Sequence, residues 1–283
     1  MTRRPGQVRP RMGRRQIALK DRLTPVLISL VSVVVVFGAL AYFVGSAPQW
    51  PRIQLQFFSV DAMLEAAPGV AKGFLVSVQL WLVSLVCIGV WALVLAIFRA
   101  MSGPWFAPLR VFAIVYVDLF RGLPALLLVL LFGFGVPALN LPGLPKEGLF
   151  WGAVALILSY SAYATEVYRS GIEAVHEGQS MAAKALGLTQ WQTLRYAILP
   201  QALRNVVPSM LNLVVALQKD VALLSVLGVR DAVREAQIYT ARTFNYSSLV
   251  VAAILFLLAT IPLARLTDHL QRRDRQRRLQ GAL

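Results

Sequence analysis

The sequence has few of the residues on which disulfide-bonded, metal-binding and soluble proteins depend. Its 283 residues include one cysteine and two histidines, and only 14% of them are charged. The lone Cys87 excludes an intrachain disulfide, and His176 and His269 lack ligand spacing, so we expect no metal site. A soluble domain of this length would carry more charge, which excludes that class.

Patterns for nucleotide binding and catalysis are absent as well. No G-x-x-x-x-G-K-[ST] loop occurs, so we do not expect the chain to bind ATP by that route. No nucleophile constellation is present, and the chain is not expected to be an enzyme by itself or to bind a cofactor. The lack of a visible internal repeat weakens an interpretation as a secondary transporter built from two related halves.

Long apolar segments dominate what is present, since 58% of the residues are hydrophobic. Each is long enough to cross a bilayer as a helix. They are residues 25–45, 74–98, 108–134, 150–169, 207–228 and 248–264. The first segment could be a cleaved signal peptide, but its length favours a retained helix. We therefore expect an all-α integral membrane protein with about six transmembrane helices in a lipid bilayer.

Basic residues outnumber acidic ones by 28 to 13, and they cluster at the two ends of the chain. Nineteen of them fall on the side that holds both tails and six on the opposite side, so the positive-inside rule predicts cytoplasmic termini. The tail at residues 1–22 is interpreted as a solvated segment at the membrane face. Nucleic-acid binding is the alternative, and it lacks the aromatic interleaving that such binding uses, so no nucleic acid is expected as a partner.

A polar stretch at residues 178–208 lies between the fourth and fifth apolar segments. Its first residues are good helix formers, and Gly187 is expected to end that helix in the left-handed conformation. Thr189 and Gln192 then have the spacing of a capping box at the start of a second helix. The stretch therefore predicts a helix, a sharp turn and another helix, located in the cytoplasm.

We call this predicted helix, turn and helix the elbow, and it also contains two prolines and three alanines. Pro200 is expected to bend or end the second helix, and Pro208 to mark the start of the next one. The small-residue face consists of Ala182, Ala183 and Ala185. Such a surface is suited to docking in a groove of another protein, although a helical hairpin without a partner is the alternative.

The same stretch resembles the EAA coupling loop of ABC-type importer permeases, in particular the polar amino-acid permeases. The family pattern is G-Q-x-E-A-A-x-A-L-G-L, followed by L-P-Q-A-L-R-x-x-x-P. The matching residues are Gly178, Gln179, Ala182, Ala183, Ala185, Leu186, Gly187 and Leu188, then residues 199–204 and Pro208. The glutamate of the family pattern is Met181 here, which removes a charge expected to help seat the loop in the ATPase.

The resemblance implies the membrane-spanning subunit of an ATP-driven amino-acid importer in the bacterial cytoplasmic membrane. It implies a separate ATPase subunit, which holds ATP and Mg and docks on the coupling residues 178–187. It also implies a second permease chain, identical or related, and an extracytoplasmic solute-binding protein. On this basis we divide the chain into a basic tail (1–22), an extra helix with its extracytoplasmic connection (23–72), the importer transmembrane domain (73–268) and a second basic tail (269–283).

Charged residues inside apolar segments are costly in lipid and therefore suggest function. Ser159, Tyr163 and Glu166 share one helix face, and Arg169 follows Glu166 by three residues. This set can hold the ammonium and carboxylate groups of an amino acid. The permeases have A-Y-x-x-E-x-x-R-x-G-I here, and the resemblance carries a substrate role to Tyr163 and Glu166. A purely structural Glu166–Arg169 pair is the alternative.

Two further charged pairs occur within the third and fifth segments. Asp118 and Arg121 have the i, i+3 spacing of an ion pair, and Gly122 and Pro124 predict a kink directly after them. Structural pairing is the favoured interpretation and gating the alternative. Lys219 and Asp220 match the family's K-D-T-S-L motif and are assigned the same gating or structural role.

In that motif Val221 and Ala222 replace the family's two hydroxyl residues, so the substrate or the pocket is expected to differ from that of the relatives. Two other classes of function stay open. One is an ion-coupled secondary transporter that uses Glu166 or Asp118 as a proton site, and the other is a membrane scaffold that does not transport.

Overall fold

The computed structural model describes residues 19–101, 103–175, 177–189 and 192–280, without the side chains of residues 19–24, 274–275 and 277–280. This part of the chain is helical and contains no strand. Its α-helices are α1 (Leu19–Gly45), α2 (Trp50–Phe57), α3 (Val60–Ala100), α4 (Ala107–Gly122), α5 (Ala125–Leu130), α6 (Val136–Ala138), α7 (Gly148–Glu173), α8 (Glu177–Ala185), α9 (Leu199–Asp220), α10 (Ala232–Thr243) and α11 (Ser247–Gln280). Most of the predicted tail at residues 1–22, and His176, lie outside the described residues.

The chain divides into two compact units, residues 1–54 and residues 55–283. The described part of the first unit is dominated by α1, whose segment Pro25–Gly45 is apolar along its whole length. Its large side chains, such as Val34 and Phe37, are exposed all round the helix. A helix that is apolar on every face and this long has the composition of a membrane span.

The core of the second unit is built around α7, which packs against α3, α4, α5 and α9. Leu128, Leu156 and Leu224 are fully buried there. Small residues let the helices approach closely, as membrane helix packing requires. A Cβ added at Gly152 would lie only 2.4 Å from the Leu227 side chain, so this contact needs glycine.

The predicted kink in the third apolar segment is confirmed and is large. Residues Pro104–Gly122 and Ala125–Ala138 are bent relative to each other by 102°. Leu123 between them is extended, because Pro124 disfavours a helical residue before it. A π-helical turn, Leu131–Gly135, then joins α5 to α6. Counting this broken pair as one span, the described residues contain up to six helices that could cross a membrane, and otherwise five.

The fifth span begins earlier than the sequence indicated. It runs through Thr193–Leu227, and its α-helical part α9 begins at Leu199, so Pro208 lies inside a helix and does not begin one. The prediction for Pro208 was wrong because helices of membrane proteins tolerate proline where neighbours satisfy the backbone. A 3-10 turn, Val221–Leu227, ends the span at Gly228, whose φ is +82°.

Candidate functional site

The predicted elbow is present, and its turn has the geometry of a Schellman motif. Gly187 has a φ of +80°, its N–H donates to the Lys184 carbonyl, and the Leu188 N–H donates to the Ala183 carbonyl. These two bonds satisfy carbonyls that would otherwise be left open at the end of α8. The left-handed stop predicted at Gly187 is confirmed.

The second arm of the elbow begins with the predicted capping box. The Thr189 N–H donates to Gln192 Oε1 at 2.9 Å, and the Gln192 N–H donates to Thr189 Oγ1 at 3.3 Å. A π-helical segment, Thr193–Ile198, follows and continues directly into α9. Pro200 lies in the first turn of α9, directly after the π-helical segment, so it does not end the second helix. The other predicted effect, a bend at Pro200, stays a prediction.

The exposed face of α8 differs from the predicted one. Ala183 is buried against its own chain, whereas Ala182 and Ala185 are exposed. Two large apolar side chains share the outside with them, Met181 at 64% and Leu186 at 83% exposure. We call Met181, Ala182, Ala185 and Leu186 the elbow face. The sequence prediction erred at Ala183 because helical spacing alone does not reveal which side of a short helix packs inward.

Contacts behind the elbow face tie its two arms to the transmembrane helices. Gln201 on α9 donates to the exposed Gln179 on α8 at 3.2 Å, and Gly178 is half-buried. Asn205 on α9 donates to the Gly171 carbonyl on α7 at 3.2 Å. A Cβ at Gly171 would lie 2.2 Å from Val206 Cγ2, so α7 and α9 touch through this glycine. The helices before and after the elbow are therefore held in direct contact.

A second feature at this end of the unit is an ion cluster around Glu166. Its carboxylate contacts Arg99 of α3 at 2.8 Å, Arg121 of α4 at 3.8 Å and Arg169 of its own helix. Arg169 also pairs with Glu173 one turn further along α7. We call Arg99, Arg121, Glu166, Arg169 and Glu173 the Glu166 cluster. It joins three helices through one partly buried carboxylate.

The cluster includes two of the four residues proposed from the sequence as a substrate site, Glu166 and Arg169, and a third, Tyr163, lies beside it. Tyr163, Glu166 and Arg169 lie together, and the Arg121 guanidinium stacks 5.7 Å from the centre of the Tyr163 ring. The fourth, Ser159, is separated from them because its side chain is buried in the core without a hydrogen-bond partner among the described residues. The i, i+3 contact of Glu166 and Arg169 is confirmed, and two arginines from other helices extend it.

The ion pair predicted between Asp118 and Arg121 is absent from the described residues. Arg121 turns to Glu166, and Asp118 is exposed without an ion pair to it. Asp220 accepts a hydrogen bond from the Tyr160 hydroxyl at 2.7 Å, while Lys219 is exposed. The pairing of Asp118 with Arg121 was wrong because Arg121 pairs with Glu166 on a neighbouring helix, and the pattern within one helix does not show that competition. The gating or structural role of Lys219 and Asp220 stays a prediction.

The sequence did not indicate a buried carboxyl group at the opposite end of the unit. Asp231 begins α10, where its Oδ1 accepts the Arg234 N–H at 2.8 Å, and its Oδ2 has no partner among the described residues. Gly73 of α3 lies against the Asp231 backbone, and a Cβ there would approach the carbonyl oxygen to 2.5 Å. Burial raises the pKa of Asp231 from 3.8 to about 6.

Metal chemistry finds no support in the described residues. No group of three or more His, Cys, Asp or Glu side chains there is arranged to hold a metal ion. Of the two histidines, His269 is exposed on α11 and His176 lies outside the described residues.

The sequence analysis missed residues of the Glu166 cluster, Arg99 above all. The one feature of the sequence that could have identified Arg99 is its position at the end of a long apolar run.

A family model described as the inner membrane component of binding-protein-dependent transport systems matches residues 92–276. The glutamate/aspartate import permease protein GltK of Escherichia coli O6:H1 is 32% identical over 222 residues, covering 76% of this chain and 98% of the relative. The arginine transport system permease protein ArtQ of Bacillus subtilis is 29% identical over 214 residues, with coverages of 75% and 95%.

Two solved structures resemble the fold. One, described as an amino acid ABC transporter with histidines, has a TM-score of 0.69 and 28% identity and covers 76% of this chain and 98% of its own. The other is the MetNI methionine ABC transporter in an inward facing conformation, with a TM-score of 0.59, 17% identity and coverages of 77% and 99%. The second likeness concerns the fold alone.

Proposed function

The chain belongs to the family of binding-protein-dependent transport system inner membrane components, and from this premise we propose that it imports amino acids as the permease subunit of an ATP-driven transporter. The observation that carries the proposal is the elbow between α7 and α9, with its glycine turn and apolar outer face. The printed names of the relatives, which include glutamate/aspartate and arginine permeases, support amino acids as the substrate class.

Membership in this family implies an ATPase partner and a binding-protein partner. We infer that the ATPase subunit holds ATP and Mg, because this chain has no phosphate-binding loop. We further propose that the chain works beside a second permease subunit, identical or related, in the bacterial cytoplasmic membrane. We propose that both termini and the elbow lie on the cytoplasmic side, and the distribution of basic residues supports this orientation.

The elbow face is proposed as the surface that the ATPase contacts. Met181 and Leu186 are exposed beside Ala182 and Ala185, which makes the face apolar. Such a patch fits a groove, where apolar anchors contribute most of the binding free energy. Movement of α8 would pass to α9 through the Gln179–Gln201 hydrogen bond, and from α9 to α7 through their contact at Gly171. ATP binding and hydrolysis would then bias the transmembrane helices between two arrangements.

A substrate role for Ser159, Tyr163, Glu166 and Arg169 stays a prediction. Tyr163 is the member best placed for it, since its side chain is 39% exposed. Glu166 and Arg169 already satisfy each other and neighbouring charges, which favours the structural interpretation of that pair. The gating role of Asp118 is supported by its exposure next to the break between α4 and α5.

The test is reconstitution of the tagged chain with whatever ATPase co-purifies with it in mild detergent. We expect a near-stoichiometric ATPase and uptake of an amino acid that depends on ATP and on the binding protein. Leu186→Ser should reduce ATPase recovery about tenfold, as loss of an apolar anchor predicts. Leu139→Ser, at a leucine that is 65% exposed in the loop after α6, is the control and should leave recovery unchanged.

Two results would point to other functions. Uptake by the chain alone in vesicles, abolished by an uncoupler, would identify an ion-coupled secondary transporter. Recovery of partners without any uptake would identify a scaffold.

A further inference from the structure

A cleft between α3, α4 and α7 gathers positive charge at the elbow end of the unit. It has a volume of about 320 Å³ and is lined by Arg99, Arg110 and Arg169 together with Glu173. Each arginine comes from a different helix, so the cleft is a product of the tertiary fold. Arg121 lies next to it, since it shares Glu166 with Arg99.

The carboxylates near the cleft do not balance its arginines. Glu166 and Glu173 face Arg99, Arg110, Arg121 and Arg169, which leaves an excess of two positive charges. Arg110 is the arginine whose positive charge is least compensated by these carboxylates. Its described hydrogen bond goes to the backbone carbonyl of Met101 at 3.1 Å, and it has no ion pair among the described residues. A guanidinium held this way keeps donors free for an anion.

The remaining walls of the cleft are apolar and open outward. They include Ala96, Ile114 and Ile172, and the last two are 38% and 41% exposed. The site therefore combines guanidinium groups at one end with aliphatic surface at the other. That combination matches a ligand with a phosphate head and a hydrocarbon body, and basic pockets between transmembrane helices are known to bind acidic lipid headgroups.

An amino acid fits the cleft less well. Its ammonium group would need a free carboxylate, and the one at the rim, Glu173, is paired with Arg169. The apolar walls also offer nothing to a small zwitterion. Arginine, in contrast, binds a phosphate through two parallel N–H donors, which a phosphodiester headgroup or a free phosphate ion could both accept.

We propose that the cleft between α3, α4 and α7 binds the phosphate group of an anionic phospholipid, with Arg110 as the hydrogen-bond donor and with Arg99 and Arg169 adding positive charge beside it. The lipid would lie at the surface where these three helices end, with its glycerol region against Ile114 and Ile172. This inference does not rest on transport of amino acids. A failure of either leaves the other standing, because lipid binding is measured without uptake.

The test uses the purified full-length chain, stripped of lipid in detergent and then mixed with single phospholipids. Native mass spectrometry should show one phosphatidylglycerol retained about tenfold more strongly than phosphatidylcholine. Arg110→Gln should abolish most of that preference while leaving the Glu166 cluster intact, and Arg110→Lys should restore part of it. Arg242→Gln, at an exposed arginine on α10, is the control and should retain the preference.

A second, steric variant separates loss of lipid binding from misfolding of the Arg110→Gln variant. Ala100→Phe narrows the cleft at an exposed position, leaves every charge in place and should also reduce phosphatidylglycerol retention. Equal retention of the two lipids by the parent chain, or full retention by both Arg110→Gln and Ala100→Phe, would overturn the proposal. Inorganic phosphate at millimolar concentration is then added to the lipid-bound chain. If phosphate displaces phosphatidylglycerol and binds with the same affinity, the lipid assignment is overturned and the cleft is a site for free anions.

Discussion

Gly187 makes the elbow depend on one backbone conformation. Its φ is +80°, and a Cβ there would meet nothing within 4 Å, so any cost of substitution lies in the backbone itself. We expect Gly187→Val to cost about 1–2 kcal/mol in the turn and to lower ATP-driven uptake about tenfold while the ATPase continues to hydrolyse ATP. Hydrolysis and uptake are measured together in vesicles.

Gly143 provides a matched control, since its φ is +82° and a Cβ there would also meet nothing within 4 Å. Gly143→Val imposes similar backbone strain in the loop between α6 and α7, at the end of α7 away from the elbow. If it uncouples hydrolysis from uptake as strongly as Gly187→Val, the special role of the elbow is contradicted.

Glu166 is the single carboxylate shared by Arg99, Arg121 and Arg169. In Glu166→Gln these three guanidinium groups would repel one another around a neutral amide. We expect a loss of about 1–2 kcal/mol in stability, less than for a fully buried pair because the site is partly exposed. Thermal unfolding in detergent measures it.

Glu173→Gln is the comparison, because that carboxylate is 59% exposed and its described ion pair is with Arg169 alone. Glu173→Gln should lower stability by less than half of the loss expected for Glu166→Gln. Equal losses in the two variants would show that the three-helix connection adds nothing.

Asp231 makes stability depend on pH. Its pKa is raised from 3.8 to about 6 by burial, so the folded chain holds this proton more tightly than the unfolded one. Stability should therefore fall, by about 1–2 kcal/mol, as pH rises through this window. Asp231→Asn should remove that slope and keep the cap on α10, whereas Asp61→Asn, at an exposed aspartate, should retain it. The measurement is the melting temperature of each variant between pH 4 and 7. If the melting temperature of Asp231→Asn falls with rising pH as steeply as that of the parent chain, Asp231 is not the group responsible.

At the scale of residues, the sequence predicted what neighbouring positions settle among themselves. The left-handed Gly187 and the Thr189–Gln192 capping box depend on a few adjacent backbone groups, and both are present. The inward side of Ala183 and the partner of Arg121 depend on other helices, and both predictions failed. Competition between partners across helices has no counterpart in a pattern read along one helix.

Among the helices, the contact of α7 with α9 has the tightest consequence for the elbow. A Cβ at Gly171 would lie 2.2 Å from Val206 Cγ2 and 3.3 Å from the Ala202 carbonyl oxygen. Gly171→Ala should therefore push the helices apart, cost about 1–3 kcal/mol and reduce coupled uptake. Both melting temperature and uptake are followed.

Gly89→Ala in α3 is the matched control, since nothing lies within 4 Å of its added methyl group. It should be neutral or stabilise the helix by up to about 1 kcal/mol. A Gly171→Ala variant as stable and active as Gly89→Ala would mean that the contact is looser than described.

Element boundaries were predictable at Gly187 and at Gly122–Pro124, but the boundaries predicted at Pro200 and Pro208 failed because helix continues through both. Gly122 and Pro124 indicated the break between α4 and α5, although not its angle of 102°. The π-helical segments Leu131–Gly135 and Thr193–Ile198 have no compositional signature. They arise where two helical directions must be reconciled, which is a property of the packed unit.

For the whole molecule, hydrophobic length predicted the spans, while orientation still rests on the count of basic residues. In a Cys87→Ser background, Leu186→Cys and Leu139→Cys place single thiols at exposed positions of the elbow and of the loop after α6. An impermeant maleimide added to intact cells should label the Leu139→Cys variant, and the Leu186→Cys variant only after permeabilisation. The reverse pattern would invert the proposed topology.

The last helix is longer than a membrane is thick. α11 comprises 34 residues, Ser247–Gln280, and its rise of about 1.5 Å per residue gives a rod of about 51 Å. With a hydrocarbon layer of about 30 Å, some 20 Å of this rod stands beyond the bilayer. Arg272 and Arg273, which are both exposed, lie 25 residues or more along this helix and are therefore proposed to stand beyond the hydrocarbon layer. The strength of their electrostatic interactions should therefore fall as the salt concentration rises, because charges beyond the headgroups are screened by salt.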